Sequence, residues 1–73
     1  MASNINIGKL IHDELKRQKL SVTWLANQLG TNRTQIYRLF DKQSIDTELL
    51  HELCLLLNRD FFSLYSSTIT EDR

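Results

Sequence analysis

The stretch LANQLGTNRTQIYRL, residues 25–39, decides the predicted fold of this 73-residue chain. Apolar residues recur at helical spacing on both sides of Gly30, at Leu25, Ala26, Leu29, Ile36 and Leu39. Gly30 stands where a helix commonly ends in the left-handed conformation, and Asn32 stands where the next helix needs a capping side chain. The stretch therefore predicts two short helices joined by a tight turn, which is a helix-turn-helix arrangement.

The same periodicity continues outward and predicts five helices in all. A first helix covers about residues 7–18, Ser21 caps the second at 22–29, and Asn32 caps the third, which ends at Phe40. Asp46 caps a fourth helix, and Asp60 caps a short fifth helix with the sequence FFSLY. We expect one all-α domain over residues 7–65, a flexible N-terminus at 1–6 and a frayed tail at 66–73.

Composition narrows the class of protein. A lone cysteine, Cys54, forms no internal disulfide, which favours a cytoplasmic location. The longest apolar run, Leu53–Leu57, is far shorter than a membrane span. His12 and His51 have neither the spacing of metal ligands nor accompanying residues suited to catalysis, and they are expected on the surface. We predict no enzyme activity, metal, cofactor or small-molecule ligand, and no membrane partner.

Charge is unevenly distributed although the net charge is zero. Residues 1–42 hold seven basic and three acidic residues, for a net charge of +4, and residues 43–73 carry −4. This asymmetry favours a basic working face in the first part of the chain. Lys16, Arg17 and Lys19 either belong to that face or are ordinary solvated residues, and the pattern favours neither interpretation.

The central segment resembles the Cro/phage-repressor-like (Xre-type) family of bacterial and phage transcriptional regulators. The resemblance extends over about residues 7–65 and is densest at Leu20-Ser21, Leu25-Ala26, Leu29-Gly30, Asn32-Arg33-Thr34, Ile36 and Arg38-Leu39. It implies a compact five-helix, lambda-repressor-like domain in which Cys54 is a buried structural thiol. It also implies a sequence-specific regulator, expected to act as a repressor, that reads the major groove of double-stranded DNA with the helix Arg33–Phe40.

The resemblance places base-reading residues at Arg33, Thr34 and Arg38, and helical spacing adds Tyr37, which faces outward and reaches either a base or a phosphate. The start of the second helix is suited to phosphate because its amides and dipole favour anions. The loop after the helix Arg33–Phe40 is the other segment expected to contact phosphates. The expected phosphate contacts are Ser21, Val22, Thr23, Lys42, Gln43 and Ser44.

The chain departs from the family pattern at a few positions. Val22 replaces the usual phosphate-contacting glutamine, so that contact is either missing or supplied by Thr23. Asp41 places a carboxylate near the expected contact with the DNA backbone. Leu15 and Phe40 stand where many relatives pair an arginine with a glutamate, so we expect an apolar contact there.

Helix 4 holds more leucines than one face can bury, and Phe61 and Phe62 are adjacent. We expect the surplus residues Leu55, Leu56 and Phe62 to support a weak homodimer, although a small core that wraps them in is an equal alternative. Two other functions are also open. One is a helical protein-interaction module without DNA contact, and the other is an antitoxin that binds both DNA and a partner protein.

Overall fold

The computed structural model describes the backbone of residues 5–71 and the side chains of residues 5–66. Over residues 5–71 the secondary structure is entirely helical, as predicted, with no strand. The helices are α1 (Ile7–Arg17), α2 (Val22–Gln28), α3 (Arg33–Phe40), α4 (Thr47–Leu57) and α5 (Phe62–Glu71). No helix in this range has the length and hydrophobicity to cross a bilayer.

Contacts divide the chain into two units, and the first comprises residues Asn6–Ser44. In this unit α3 packs against both α1 and α2. Its buried apolar side chains are Ile7, Ile11, Leu15, Leu25, Ala26, Ile36 and Leu39. Burial of one apolar stripe per helix supplies most of the stability that helices this short cannot obtain alone.

Side-chain caps set the helix starts in the first unit. The Ser21 hydroxyl accepts a hydrogen bond from the Trp24 N–H at 2.9 Å, and the Asn32 side-chain oxygen accepts from the Gln35 N–H at 3.0 Å. Both predicted caps are therefore confirmed, and each typically stabilises a helix by about 1 kcal/mol. The predicted N-terminus of residues 1–6 lies mostly outside the described residues, but Asn6 caps α1 by accepting from the Lys9 N–H.

The turn between α2 and α3 follows the prediction. Gly30 adopts φ of +66°, in the left-handed region, and the Thr31 N–H donates to the Ala26 carbonyl at 2.9 Å. This six-residue hydrogen bond is the Schellman arrangement, which uses the last free carbonyls of α2 and redirects the chain at once into α3.

The second unit, from Ile45 onward, contains α4 and α5. Asp46 caps α4 as predicted by accepting from the Leu49 N–H at 2.8 Å. Leu50, Leu53, Leu57 and Phe61 are buried. The predicted fifth helix at 61–65 is wrong in extent because α5 begins at Phe62 and continues to Glu71. The predicted fraying of residues 66–73 stays a prediction, and residues 72–73 lie outside the described residues. No glycine or proline interrupts residues 62–71, so nothing local ends the helix earlier.

Candidate nucleic-acid interface

The outer face of α3 presents a contiguous set of exposed polar and aromatic side chains. Arg33, Thr34, Tyr37 and Arg38 are all exposed, and about half of the Tyr37 surface is accessible (51%). Positions 33 and 37 lie one turn apart, as do positions 34 and 38, so the side chains form two adjacent rows. The opposite face buries Ile36 and Leu39. The structure thus brings the predicted base-reading residues together on the side of α3 that faces solvent.

The start of α3 is electrostatically positive. Arg33 is its first residue, and no acidic residue lies in its first turn. The N-terminal end of a helix carries partial positive charge, which an aspartate or glutamate would ordinarily stabilise. Here a guanidinium is added to that end instead. The combination repels cations and attracts an external anion.

The unit that carries α3 is also basic as a whole. Residues Asn6–Ser44 include seven basic and three acidic residues, for a net charge of +4. Neither α1 nor α2 has an acidic residue in its first turn. In contrast, α4 of the second unit has Glu48 at its start.

The predicted phosphate-contacting loop is tied to the start of α1 by its backbone. The Gly8 N–H donates to the Lys42 carbonyl at 2.9 Å, and the Ile7 N–H donates to the Gln43 carbonyl at 3.2 Å. The side chains of Lys42, Gln43 and Ser44 remain exposed. The loop therefore combines a fixed backbone with accessible polar side chains.

At the start of α2, Ser21 and Thr23 are exposed and Val22 is half-buried. The Ser21 hydroxyl accepts from the Trp24 N–H as a cap, which leaves its own proton to donate. An apolar, half-buried side chain at Val22 supplies no polar group. Any contribution of Val22 to anion binding is thus restricted to its backbone amide.

An aromatic cluster joins α1 to α3, and the sequence analysis missed it. The His12 ring stacks on the Phe40 ring with centroids 4.3 Å apart and an interplanar angle of 14°. The Tyr37 ring meets Phe40 edge-on at 6.1 Å and 81°. His12 and Phe40 are both half-buried, so His12 is less exposed and Phe40 less enclosed than expected. The expected apolar contact between Phe40 and Leu15 stays a prediction.

These rings border an open hollow of about 460 Å³ at the end of α3. Its lining residues are Asn6, Lys9, His12, Tyr37, Phe40 and Asp41. The only sequence signal for this hollow was the position of His12 beside the apolar stripe of the first helix. Its partner Phe40 lies far away in the sequence, so the pairing depends on how α1 and α3 pack.

A buried carboxylate in α1 is the second feature that sequence reasoning missed. Glu14 is only 1% exposed, and its carboxylate accepts from Arg17 Nε at 3.1 Å and from Gln18 Nε2 at 2.5 Å. It also pairs with Arg17 Nη2. The hydrogen bond to Glu14, together with its negative charge, raises the pKa of Arg17 above the ordinary value. Of the three basic residues left open above, Arg17 thus has an internal partner, and Lys16 and Lys19 are exposed.

The three residues predicted to form the dimer contact differ in their exposure and position. Leu55 is 69% exposed, and with half-buried Phe62 it lines a hollow in the second unit. Leu56 is half-buried and does not line that hollow, because consecutive residues point about 100° apart around a helix. Leu55 and Phe62 thus lie on one surface and Leu56 does not, and the dimer contact predicted for the three residues stays a prediction.

Cys54 is a free cysteine in the same unit and is half-buried, less enclosed than expected. Its Sγ accepts from the Phe61 N–H at 3.4 Å, which gives it a local structural contact. In the part of the chain that the structure describes, no three His, Cys, Asp or Glu side chains gather as a metal site.

Comparisons with family models, with curated proteins and with solved structures yield no match to this chain.

Proposed function

We propose that this protein is a sequence-specific, double-stranded DNA-binding transcriptional regulator that acts as a repressor. In this proposal α2 and α3 form the helix-turn-helix of a lambda-repressor-like domain, and α3 enters the major groove. The observation that carries the proposal is the exposed face of α3, where Arg33, Thr34, Tyr37 and Arg38 lie together on a helix with a positive start.

The residue types on this face suit recognition of base edges. An arginine fork donates two parallel hydrogen bonds to guanine O6 and N7, and each good pair discriminates by about 1–3 kcal/mol. Thr34 offers a hydroxyl and a methyl group, which suits a thymine. Arg33 and Arg38 occupy the first and sixth positions of α3, so they would meet different base pairs.

Contacts with the phosphate backbone of the DNA would come from two segments of the chain. The first is the start of α2, with Ser21, Thr23 and the amide of Val22. The second is the loop of Lys42, Gln43 and Ser44. Two carbonyls of this loop accept hydrogen bonds from the Gly8 and Ile7 amides, which fixes its backbone. Such contacts fix the register of a protein on DNA without reading sequence.

A single module of this size contacts few base pairs, and two copies on a palindrome would extend the site. We propose a weak homodimer that uses exposed Leu55 and neighbouring Phe62. The same exposed leucine favours the second candidate function, a protein-interaction module or antitoxin in which partner binding is the main role.

Selection of bound sequences from a random duplex library tests the leading proposal. We expect an enriched motif, and a palindrome with half-sites about one helical turn apart if the dimer binds. Affinity for that motif should fall about 100-fold between 50 and 200 mM salt if lysine and arginine side chains neutralise three or four phosphates. If the full chain binds no duplex even at low salt, the DNA-binding proposal is wrong and the interaction module takes its place.

A further inference from the structure

We infer that His12 is a positioning residue for DNA recognition, because it fixes the Tyr37 side chain through the Phe40 ring. This inference rests on the proposed function and extends the reading surface to a residue of α1. It concerns the three-ring cluster His12–Phe40–Tyr37, which links the exposed face of α3 to its neighbouring helix.

The geometry is that of a supported side chain. Tyr37 is about half exposed, so packing encloses only part of its side chain. Phe40 lies one turn further along α3 and meets Tyr37 edge-on, which is a favoured arrangement of two aromatic rings. The nearly parallel His12 ring covers Phe40 and limits the rotation of that ring in turn.

We infer that His12 positions Tyr37, and not the reverse, from how each residue is attached to the core. His12 belongs to α1, whose buried neighbours Ile11 and Leu15 fix the helix in the core. Tyr37 lies at the solvent end of the cluster. A change at His12 therefore reaches Tyr37, and a change at Tyr37 leaves the α1 end in place.

A side chain held before binding loses less conformational entropy when it meets its target. Removal of the His12 ring should thus weaken binding through Tyr37, although we assign no DNA contact to His12 itself. Aromatic pairs stabilise by an amount that corresponds to about a 2- to 10-fold change in an equilibrium constant. We expect His12→Ala to lower DNA affinity within that range.

The first experiment measures the Tyr37 ring resonances of the DNA-free protein by NMR in the wild type, His12→Ala and His12→Phe. We expect His12→Ala to move the Tyr37 signals toward those of a freely rotating tyrosine and His12→Phe, which keeps a flat ring, to restore them. The Tyr65 signals provide the internal control and should stay unchanged. Tyr37 signals that do not respond to His12→Ala would overturn the inference.

The second experiment measures affinity for the selected duplex in a double-mutant cycle of His12→Ala and Tyr37→Ala. If His12 acts through Tyr37, the double variant binds no more weakly than Tyr37→Ala, and His12→Phe binds as the wild type. Thr47→Ala, at an exposed position of α4 outside both proposed interfaces, is the control and should bind normally. Additive losses in the double variant would overturn the inference.

Two outcomes separate this inference from the proposed function. A wild-type chain that binds no duplex overturns the proposed function, and the inference with it. A wild-type chain that binds, with His12→Ala at full affinity, overturns the inference alone. If His12→Ala does not fold by circular dichroism, His12→Leu replaces it in both experiments, because leucine keeps much of the volume and removes the flat ring.

Discussion

The Gly8 N–H donates a hydrogen bond to the Lys42 carbonyl at 2.9 Å, and this contact brings the backbone of α1 against the chain that leaves α3. A Cβ built on Gly8 would lie 2.5 Å from the Leu39 carbonyl oxygen and 2.6 Å from that of Lys42, and it would also collide with the Phe40 carbonyl. The carbonyl end of α3 is negative and the amide end of α1 is positive, so their approach is electrostatically favourable. Gly8 permits that approach because it has no side chain.

Gly8→Ala should therefore destabilise the protein strongly. The added methyl group meets three backbone oxygens that cannot rotate away, so α1 and α3 must separate. We expect the free energy of unfolding to fall by about 3 kcal/mol, at the upper end of overpacking effects. Urea denaturation followed by circular dichroism measures it, and a loss below half of that value would show that the two helices adjust easily.

Gly30 offers a matched comparison because its requirement is conformational. Its φ is +66°, and nothing lies within 4 Å of a Cβ built there. Gly30→Ala should lower the free energy of unfolding by about 1 kcal/mol. Gly30→Asn should lower it by less, because asparagine tolerates the left-handed region. No such rescue by asparagine is expected at Gly8, where any Cβ collides.

Replacement of the buried carboxylate should reduce stability as well. Glu14→Ala removes the acceptor shared by Arg17 and Gln18 and leaves space in a fully buried position. We expect a loss of about 2 kcal/mol in the free energy of unfolding. Asp13→Ala, at the exposed neighbouring acid, should change it by less than about 0.5 kcal/mol. Equal effects of the two substitutions would mean that Glu14 has no special role.

Substitutions on α3 should change sequence preference rather than stability. Arg33→Ala and Arg38→Ala should each relax preference at one base pair, with a loss of about 1–3 kcal/mol on the preferred duplex. Binding to a panel of single-base variants of the selected site measures this. Equal losses on every duplex would instead assign both arginines to the phosphate backbone.

Lys42→Ala provides the contrasting case. Its backbone contact with Gly8 is retained, and only the exposed ammonium group is lost. We expect weaker binding to all duplexes and a salt dependence whose slope falls by about one. A change of preference at one base pair would show that Lys42 reads sequence.

The proposed dimer depends on the exposed leucine of α4. Leu55→Ser should raise the dimer dissociation constant about 10-fold, which corresponds to 1.4 kcal/mol. Sedimentation equilibrium of the full chain, free and on DNA, measures this, with Glu48→Ala as the control on the same helix. A strictly monomeric wild type in both states would refute the dimer.

Local sequence signals predicted much of the fold. Ser21, Asn32 and Asp46 cap their helices as expected, because a cap acts on an amide only three residues away. The left-handed turn at Gly30 was equally local. The corresponding turn at Lys19, with φ of 59°, carries no glycine or asparagine and gave no such signal.

The helix Arg33–Phe40, its buried residues Ile36 and Leu39 and its exposed arginines could thus be predicted from the residue pattern alone, because helical period and capping are properties of neighbouring residues. Which groups support that helix was decided only in three dimensions. Gly8 lets the end of α3 approach α1 closely, and His12 stacks on Phe40. In both contacts the two partners lie some thirty positions apart in the sequence. Such pairings depend on how α1 and α3 pack, and no spacing within either helix specifies them.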